Sequence, residues 1–150
     1  MRKSLLLISA LAITFGTTSA VQAQTFTVES ERTTSTEFGT PSTDVRSYFG
    51  SHSKGKLKTT MADGTITKGK WECVSMSQPP GIFTVHVICE NTSSDGNFTT
   101  VMGCNSLGED KGMSCNGGMR GKSGDFVGKT GSISFQLDGD SATGTGQWHK

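Results

Sequence analysis

The chain has 150 residues, with 14 basic and 13 acidic side chains, a formal net charge of +1 and 32% hydrophobic residues. This balance of charge lacks the basic footprint of a nucleic-acid-binding protein, so nucleic acid is excluded as a partner. Residues 1–23 hold 13 of the 48 hydrophobic residues, so 35 of the remaining 127 (28%) are hydrophobic, which is thin for a packed core and indicates that other devices stabilise the fold.

The N-terminus has the pattern of an export signal. Arg2 and Lys3 precede an apolar run from Leu5 to Phe15, and Val21-Gln22-Ala23 offers small residues for cleavage after Ala23. The run is shorter than the roughly 20 residues of a membrane-spanning helix. We therefore predict a signal peptide over residues 1–23 and a single domain over 24–150 without a transmembrane segment, located in the periplasm or outside the cell.

Four cysteines lie in the predicted exported domain: Cys73, Cys89, Cys104 and Cys115. An even count in a small exported domain predicts two disulfides, which would compensate for the thin core. A zinc site is disfavoured because no Cys-x-x-Cys pair occurs and the three histidines are scattered. No metal or other cofactor is predicted.

Residues 24–50 predict a first strand followed by a polar loop. Phe26 and Val28 share one face of a strand over 25–29, whereas residues 31–43 are polar and broken by Gly39 and Pro41. We expect the core of the fold to lie in residues 51–150.

The next segment predicts a hairpin around Asp63-Gly64. A three-residue loop over 62–64 places Leu57, Met61, Trp71 and Cys73 on the inner face and leaves five lysines outside. These lysines (Lys54, Lys56, Lys58, Lys68 and Lys70) could dock an anionic polymer. We favour a solvated face that protects the strands from aggregation, because the net charge is near neutral.

Residues 82–89 form the most apolar predicted strand. One face carries Phe83, Val85, Val87 and Cys89, and the opposite face carries Ile82, Thr84, His86 and Ile88. Further on, a hairpin at Asp95-Gly96 and a reversal with its tip at Glu109-Asp110 would set Cys104 opposite Cys115. This register favours a Cys104–Cys115 disulfide, which leaves Cys73–Cys89.

The chain then enters a glycine-rich run from 116 to 131, which predicts a corner of a coiled sheet around a buried pair, Phe126-Val127. The spacing does not match a nucleotide-binding loop. A turn at 138–140 leads into a closing strand that ends at Trp148. Aspartates at 125, 138 and 140 lack the spacing of an EF-hand, so a turn is favoured over a calcium site.

Within this run, Gly124-Asp125-Phe126-Val127-Gly128-Lys129-Thr130-Gly131 resembles the Gly-x-Phe-x-Gly-x-x-Gly signature of allene-oxide-cyclase-like and dirigent-like β-barrels. Similar runs occur in short exported bacterial proteins. The resemblance covers about residues 65–148 and implies an eight-stranded antiparallel barrel of the calycin-like kind. The catalytic residues of those families do not align with this chain, so the resemblance implies no activity.

The predicted fold is therefore all-β: a single antiparallel barrel of about eight strands with two disulfides. The alternative is an immunoglobulin-like β-sandwich, which is weakened because Trp71 precedes the neighbouring cysteines.

For function, we favour a non-enzymatic exported protein that binds a small apolar or amphipathic ligand or serves as an envelope accessory protein. The expected ligand contacts are Trp71, Phe83, His86 and Phe126. One alternative is a cyclase or isomerase using His86, Arg120 and Asp125. Another is a surface interaction protein that uses the lysine face. The oligomeric state is left open.

Overall fold

The structure is a computed structural model that describes residues 24–40, 48–78, 82–108 and 111–149. The predicted signal peptide, the end of the predicted polar loop at 41–43, the Pro79-Pro80-Gly81 turn and the Glu109-Asp110 tip lie outside the described residues. Within the described ranges, no helix is long and apolar enough to cross a membrane.

Eight antiparallel strands form a closed barrel in which each strand pairs with its neighbours in the chain and β1 also pairs with β8. This confirms the predicted all-β barrel rather than the β-sandwich. A single turn of 3-10 helix, Gly124–Phe126, lies between β6 and β7. The strands are β1 Gln24–Thr40, β2 Tyr48–Met61, β3 Ile66–Ser77, β4 Val85–Ser93, β5 Gly96–Ser106, β6 Met113–Gly121, β7 Thr130–Asp138 and β8 Ser141–His149.

Strand β1 is much longer than the sequence predicts. The polar loop expected over 31–43 is wrong as far as Thr40, because β1 continues beyond a register shift at Thr33 and pairs with β2 as far as Tyr48. The β-branched threonines of this segment favour a strand. Strand β8 pairs with β1 from Gln24 to Glu31. Beyond Glu31, β1 continues as a strand paired with β2.

The register of the β2–β3 hairpin is the predicted one. Met61 N–H donates to Thr65 O at 2.8 Å across a three-residue loop, and Gly64 occupies the left-handed region with φ of 87°. Leu57 is consequently buried, and the five lysines point outward as predicted.

Both predicted disulfides are present, Cys73–Cys89 and Cys104–Cys115. Each joins residues that face each other directly on adjacent strands. They cross-link β3 to β4 and β5 to β6, and all four sulfurs belong to the core of the barrel.

Several glycines make room for aromatic rings inside the barrel. A Cβ atom on Gly146 would collide with the ring of Phe26, and one on Gly55 would collide with the ring of Trp71. These bulky rings fit inside so narrow a barrel because the adjacent strand carries no side chain at the position paired with each ring.

The predicted glycine corner is found in the β6–β7 connection. Gly124 and Gly128 have positive φ angles of 61° and 76°. Phe126 packs against the core, but Val127 is 66% exposed, so the predicted buried pair is wrong for its second member. The single 3-10 turn directs Phe126 inward and leaves Val127 in solvent.

Candidate ligand-binding cavity

One end of the barrel is closed by four aromatic side chains, which we call the aromatic plug: Phe26, Phe98, Phe126 and Trp148. The ring of Trp148 lies 4.9 Å from that of Phe126, 5.2 Å from Phe98 and 6.3 Å from Phe26. At this end β1 begins and β8 ends, with Gln24 paired to Trp148. The plug seals the barrel at the end where the β4–β5 and β6–β7 connections lie.

A cavity of about 350 Å³ occupies the barrel above the plug and, as far as the structure describes the chain, opens at the opposite end. A larger depression, about 560 Å³, lies along the outside of β1, β7 and β8. That depression is broad, and exposed threonine and serine side chains form part of its walls. The inner cavity encloses far more apolar surface, so it is the candidate site.

The wall of the cavity formed by β4 to β7 is apolar except at its bottom, where Asn91 and Thr100 lie. The side chains on this side alternate inward along each strand, and both disulfides form part of the surface. The apolar inward residues above the plug are Val85, Val87, Cys89, Met102, Cys104, Met113, Cys115, Ile133, Phe135 and Leu137.

The wall formed by β1 to β3 carries a row of serines. Ser51 and Ser75 share a hydrogen bond of 2.6 Å between their hydroxyl oxygens, and Ser53 shares one of 3.0 Å with Ser35. Ser30 also faces the cavity. A bound molecule would therefore meet hydroxyl groups on one side and apolar surface on the other.

The ionisable side chains that line the cavity, among the residues described, are at its mouth. Arg32 forms an ion pair with Asp140, with an Nη2–Oδ1 distance of 2.6 Å, and its backbone N–H donates to Asp140 O at 2.8 Å. Glu37 faces the same side of β1 beyond the register shift. The guanidinium of Arg32 is thus fixed at the mouth of the cavity, and its charge is neutralised by Asp140.

At the bottom of the cavity, two polar side chains lie among aromatic rings. Asn91 and Thr100 are both buried and are hydrogen-bonded to each other. Trp71 lies beside them, and its indole N–H donates to Lys56 O at 3.1 Å, which fixes the ring over Gly55.

The four predicted ligand contacts occupy three different places. Trp71 lines the cavity, and Phe126 belongs to the aromatic plug below it. Phe83 and His86 pack together outside the barrel, with 5.9 Å between ring centroids. The predicted inner face is wrong for Phe83, because β4 begins only at Val85 and the Phe83 ring covers the outer surface of Gly103.

Sequence reasoning missed the polar lining of the cavity. Asn91 continues the inward alternation of Val85, Val87 and Cys89, so the strand pattern could have identified it. The Arg32–Asp140 pair has no local signal, because it forms only when the first and last strands meet.

The polar residues considered for a cyclase or isomerase lie on the outer surface of the barrel. His86, Arg120 and Asp125 are exposed on β4, β6 and the 3-10 turn, and they form no shared site. No three His, Cys, Asp or Glu side chains of the described chain are grouped to hold a metal ion.

The lysine face is interleaved with glutamates. Lys58 pairs with Glu29 at 3.2 Å, and Lys54 pairs with Glu72 at 3.3 Å. A 2.6 Å contact from the His52 ring, followed by the bond from Lys54, lowers the pKa of the Glu72 carboxyl from its ordinary value. The charge of the five lysines is therefore partly neutralised by carboxylates on the same surface.

No protein-family model matches the chain, and no curated protein gives a significant match. The resemblance of the glycine run to allene-oxide-cyclase-like and dirigent-like barrels stays a prediction.

Proposed function

We propose that this protein binds one small, largely apolar molecule inside its barrel, as a non-enzymatic binding protein of the exported compartment. The observation that carries the proposal is the cavity of about 350 Å³, closed by the aromatic plug at one end and open, among the described residues, at the other. Sites for small molecules are concave, mostly apolar and about 300–1,000 Å³ in volume.

The two walls of the cavity favour an amphipathic occupant over a purely apolar one. The serine row on β1 to β3 offers hydroxyl partners along one flank, and the disulfide-bearing wall on β4 to β7 offers apolar contact along the other. The two disulfides stiffen the apolar wall, which favours a cavity formed before the ligand arrives.

The alternatives have weaker support. Glutamates interrupt the lysine face, which limits its attraction for an anionic polymer. The residues considered for a cyclase or isomerase are exposed and lie on separate elements. Neither alternative is favoured by a specific observation.

The test is to identify what the protein retains. Protein purified from its native host is analysed by native mass spectrometry and solvent extraction, and binding of the neutral dye N-phenylnaphthylamine is titrated by fluorescence. We expect one retained small molecule, or saturable dye binding that an extract from the host displaces.

Two neighbouring positions on β4 provide matched variants. Val87→Trp fills the cavity, whereas Ile88→Trp places the same ring on the outer surface, where Ile88 is exposed. We expect Val87→Trp to abolish binding and Ile88→Trp to preserve it. Circular dichroism verifies folding, and Val87→Phe replaces Val87→Trp if the larger ring prevents it. Equal binding by both variants, or no saturable binding by the wild type, would refute the proposal.

A further inference from the structure

The bottom of the cavity contains a polar group whose hydrogen-bonding capacity is only partly used. Asn91 is 7% exposed and faces inward from β4, between Trp71 on β3 and Phe98 on β5. A buried amide is costly unless its donors and acceptor find partners.

The orientation of the Asn91 amide is fixed by its neighbours. Nδ2 donates to Phe98 O at 3.3 Å and to Thr100 Oγ1 at 2.9 Å. Because a backbone carbonyl can only accept a hydrogen bond, the nitrogen of the amide must face β5. The oxygen Oδ1 therefore points away from β5.

Oδ1 is open to the cavity. No donor from the described residues is within hydrogen-bonding distance of it, although Asn91 lines the cavity. Among those residues, every fully enclosed side-chain nitrogen or oxygen has a hydrogen-bond partner. Oδ1 is consequently reachable from the cavity, and it can accept a hydrogen bond from a molecule there.

We propose that Asn91 Oδ1 accepts a hydrogen bond from a hydroxyl or N–H group at the buried end of an uncharged, otherwise apolar ligand. This inference rests on the proposed function. The chemical class follows from the surroundings: Trp71, Phe98 and the apolar wall enclose the carbonyl, whereas Arg32, Glu37 and Asp140 are all at the mouth. A carboxylate at the bottom would lose its hydration and face another acceptor.

Three probes of similar length separate the possibilities: n-undecanol, decyl methyl ether and undecanoate. The alcohol and the ether have the same number of non-hydrogen atoms, but only the alcohol has a donor. Dissociation constants are measured by isothermal titration calorimetry and by displacement of N-phenylnaphthylamine. We expect the alcohol to bind at least about fivefold more tightly than the ether or the carboxylate.

The variant Asn91→Leu removes the acceptor with a side chain of similar size, and Thr92→Leu changes the adjacent outward residue as a control. We expect the alcohol and the ether to bind Asn91→Leu equally, and the preference for the alcohol to persist in Thr92→Leu. If Asn91→Leu does not fold, the order of the three probes on the wild type decides.

The outcomes distinguish this inference from the proposed function. Equal binding of alcohol and ether to the wild type, or tighter binding of undecanoate, would overturn the role of Asn91 but leave a ligand-binding barrel. Binding of none of the probes, with no dye binding, would overturn both. A preference for the alcohol that survives in Asn91→Leu would place the acceptor elsewhere and overturn the inference.

Discussion

Replacing Trp148 by alanine removes the central ring of the aromatic plug. Trp148 is 4% exposed, and its ring lies between 4.9 and 6.3 Å from three other rings. Loss of about 150–200 Å² of buried apolar surface, at about 25 cal/mol per Å², corresponds to about 4–5 kcal/mol. Domains unfold with free energies of about 5–15 kcal/mol, so this single change should remove much of the stability.

The assay is urea unfolding followed by far-ultraviolet circular dichroism, in which the signal of the β-sheet backbone is present in variants with and without Trp148. The midpoint and the slope together give the change in the free energy of unfolding. We expect Trp148→Ala to lose about 4 kcal/mol and Trp148→Phe, which keeps a ring in the plug, to lose about 1–2 kcal/mol.

Val127→Ala is the matched control, because Val127 is 66% exposed in the β6–β7 connection beside the plug. Its free energy of unfolding should stay within about 0.5 kcal/mol of the wild type. A loss below about 1 kcal/mol for Trp148→Ala, at an unchanged slope, would refute the conclusion that packed aromatic rings close this end.

The same unfolding assay should show that Gly146→Ala costs about 1–3 kcal/mol, because its Cβ meets the ring of Phe26. The Cβ of Gly118→Ala meets only Gly131 O, at an ordinary van der Waals distance of 3.8 Å, and should change stability by no more than about 1 kcal/mol, in the stabilising direction. Replacing the Cys104–Cys115 disulfide, which spans a sequence separation of 11, by two alanines should cost about 3 kcal/mol; calorimetry finding a loss below about 1 kcal/mol would contradict this. Finally, the lowered pKa of the Glu72 carboxyl stabilises the folded state when the pH is above the ordinary carboxyl pKa of 4.5. This stabilisation is lost as the pH falls through the pKa that Glu72 has in the folded state. His52→Ala should raise the Glu72 pKa in a carboxyl NMR titration, and an unchanged pKa would show that the hydrogen bond is unimportant.

Much of the barrel was predictable because the register of two paired strands determines which of their side chains share a face. A shift of one residue moves every side chain to the opposite face. Placing Leu57 and Trp71 on one face therefore selected a three-residue loop, which the structure confirms. The same logic paired Cys104 with Cys115. Local alternation and turn chemistry were sufficient at these points because each hairpin joins strands that are adjacent in the chain.

Features that depend on distant partners were not predictable. A glycine is required at position 146 because a side chain there would collide with the ring of Phe26. The two residues meet only because β8 closes onto β1. The sequence pattern places Gly146 in the closing strand but does not reveal its ring partner, which lies far away in the chain. Phe83 was misplaced for a similar reason: its position depends on Gly103, which belongs to the next strand.

The candidate site was predicted only in part. The direction of Trp71 followed from alternation, and that of Asn91 could have followed in the same way. Their depth below the mouth depends on how the eight strands are staggered around the barrel, which no local pattern reveals. The polar β1 segment lacked apolar alternation, so a strand that pairs through its backbone was mistaken for a loop.

The seam between the first and last strands also determines how the barrel can be anchored. Gln24 and His149 both lie at the plugged end, since β1 starts and β8 finishes there. A tether joined before Gln24 or after His149 would hold the barrel by its floor and leave the opening on the far side. Immobilising the barrel at Gln24 or His149 would thus leave the far end of the described barrel facing the surrounding solution.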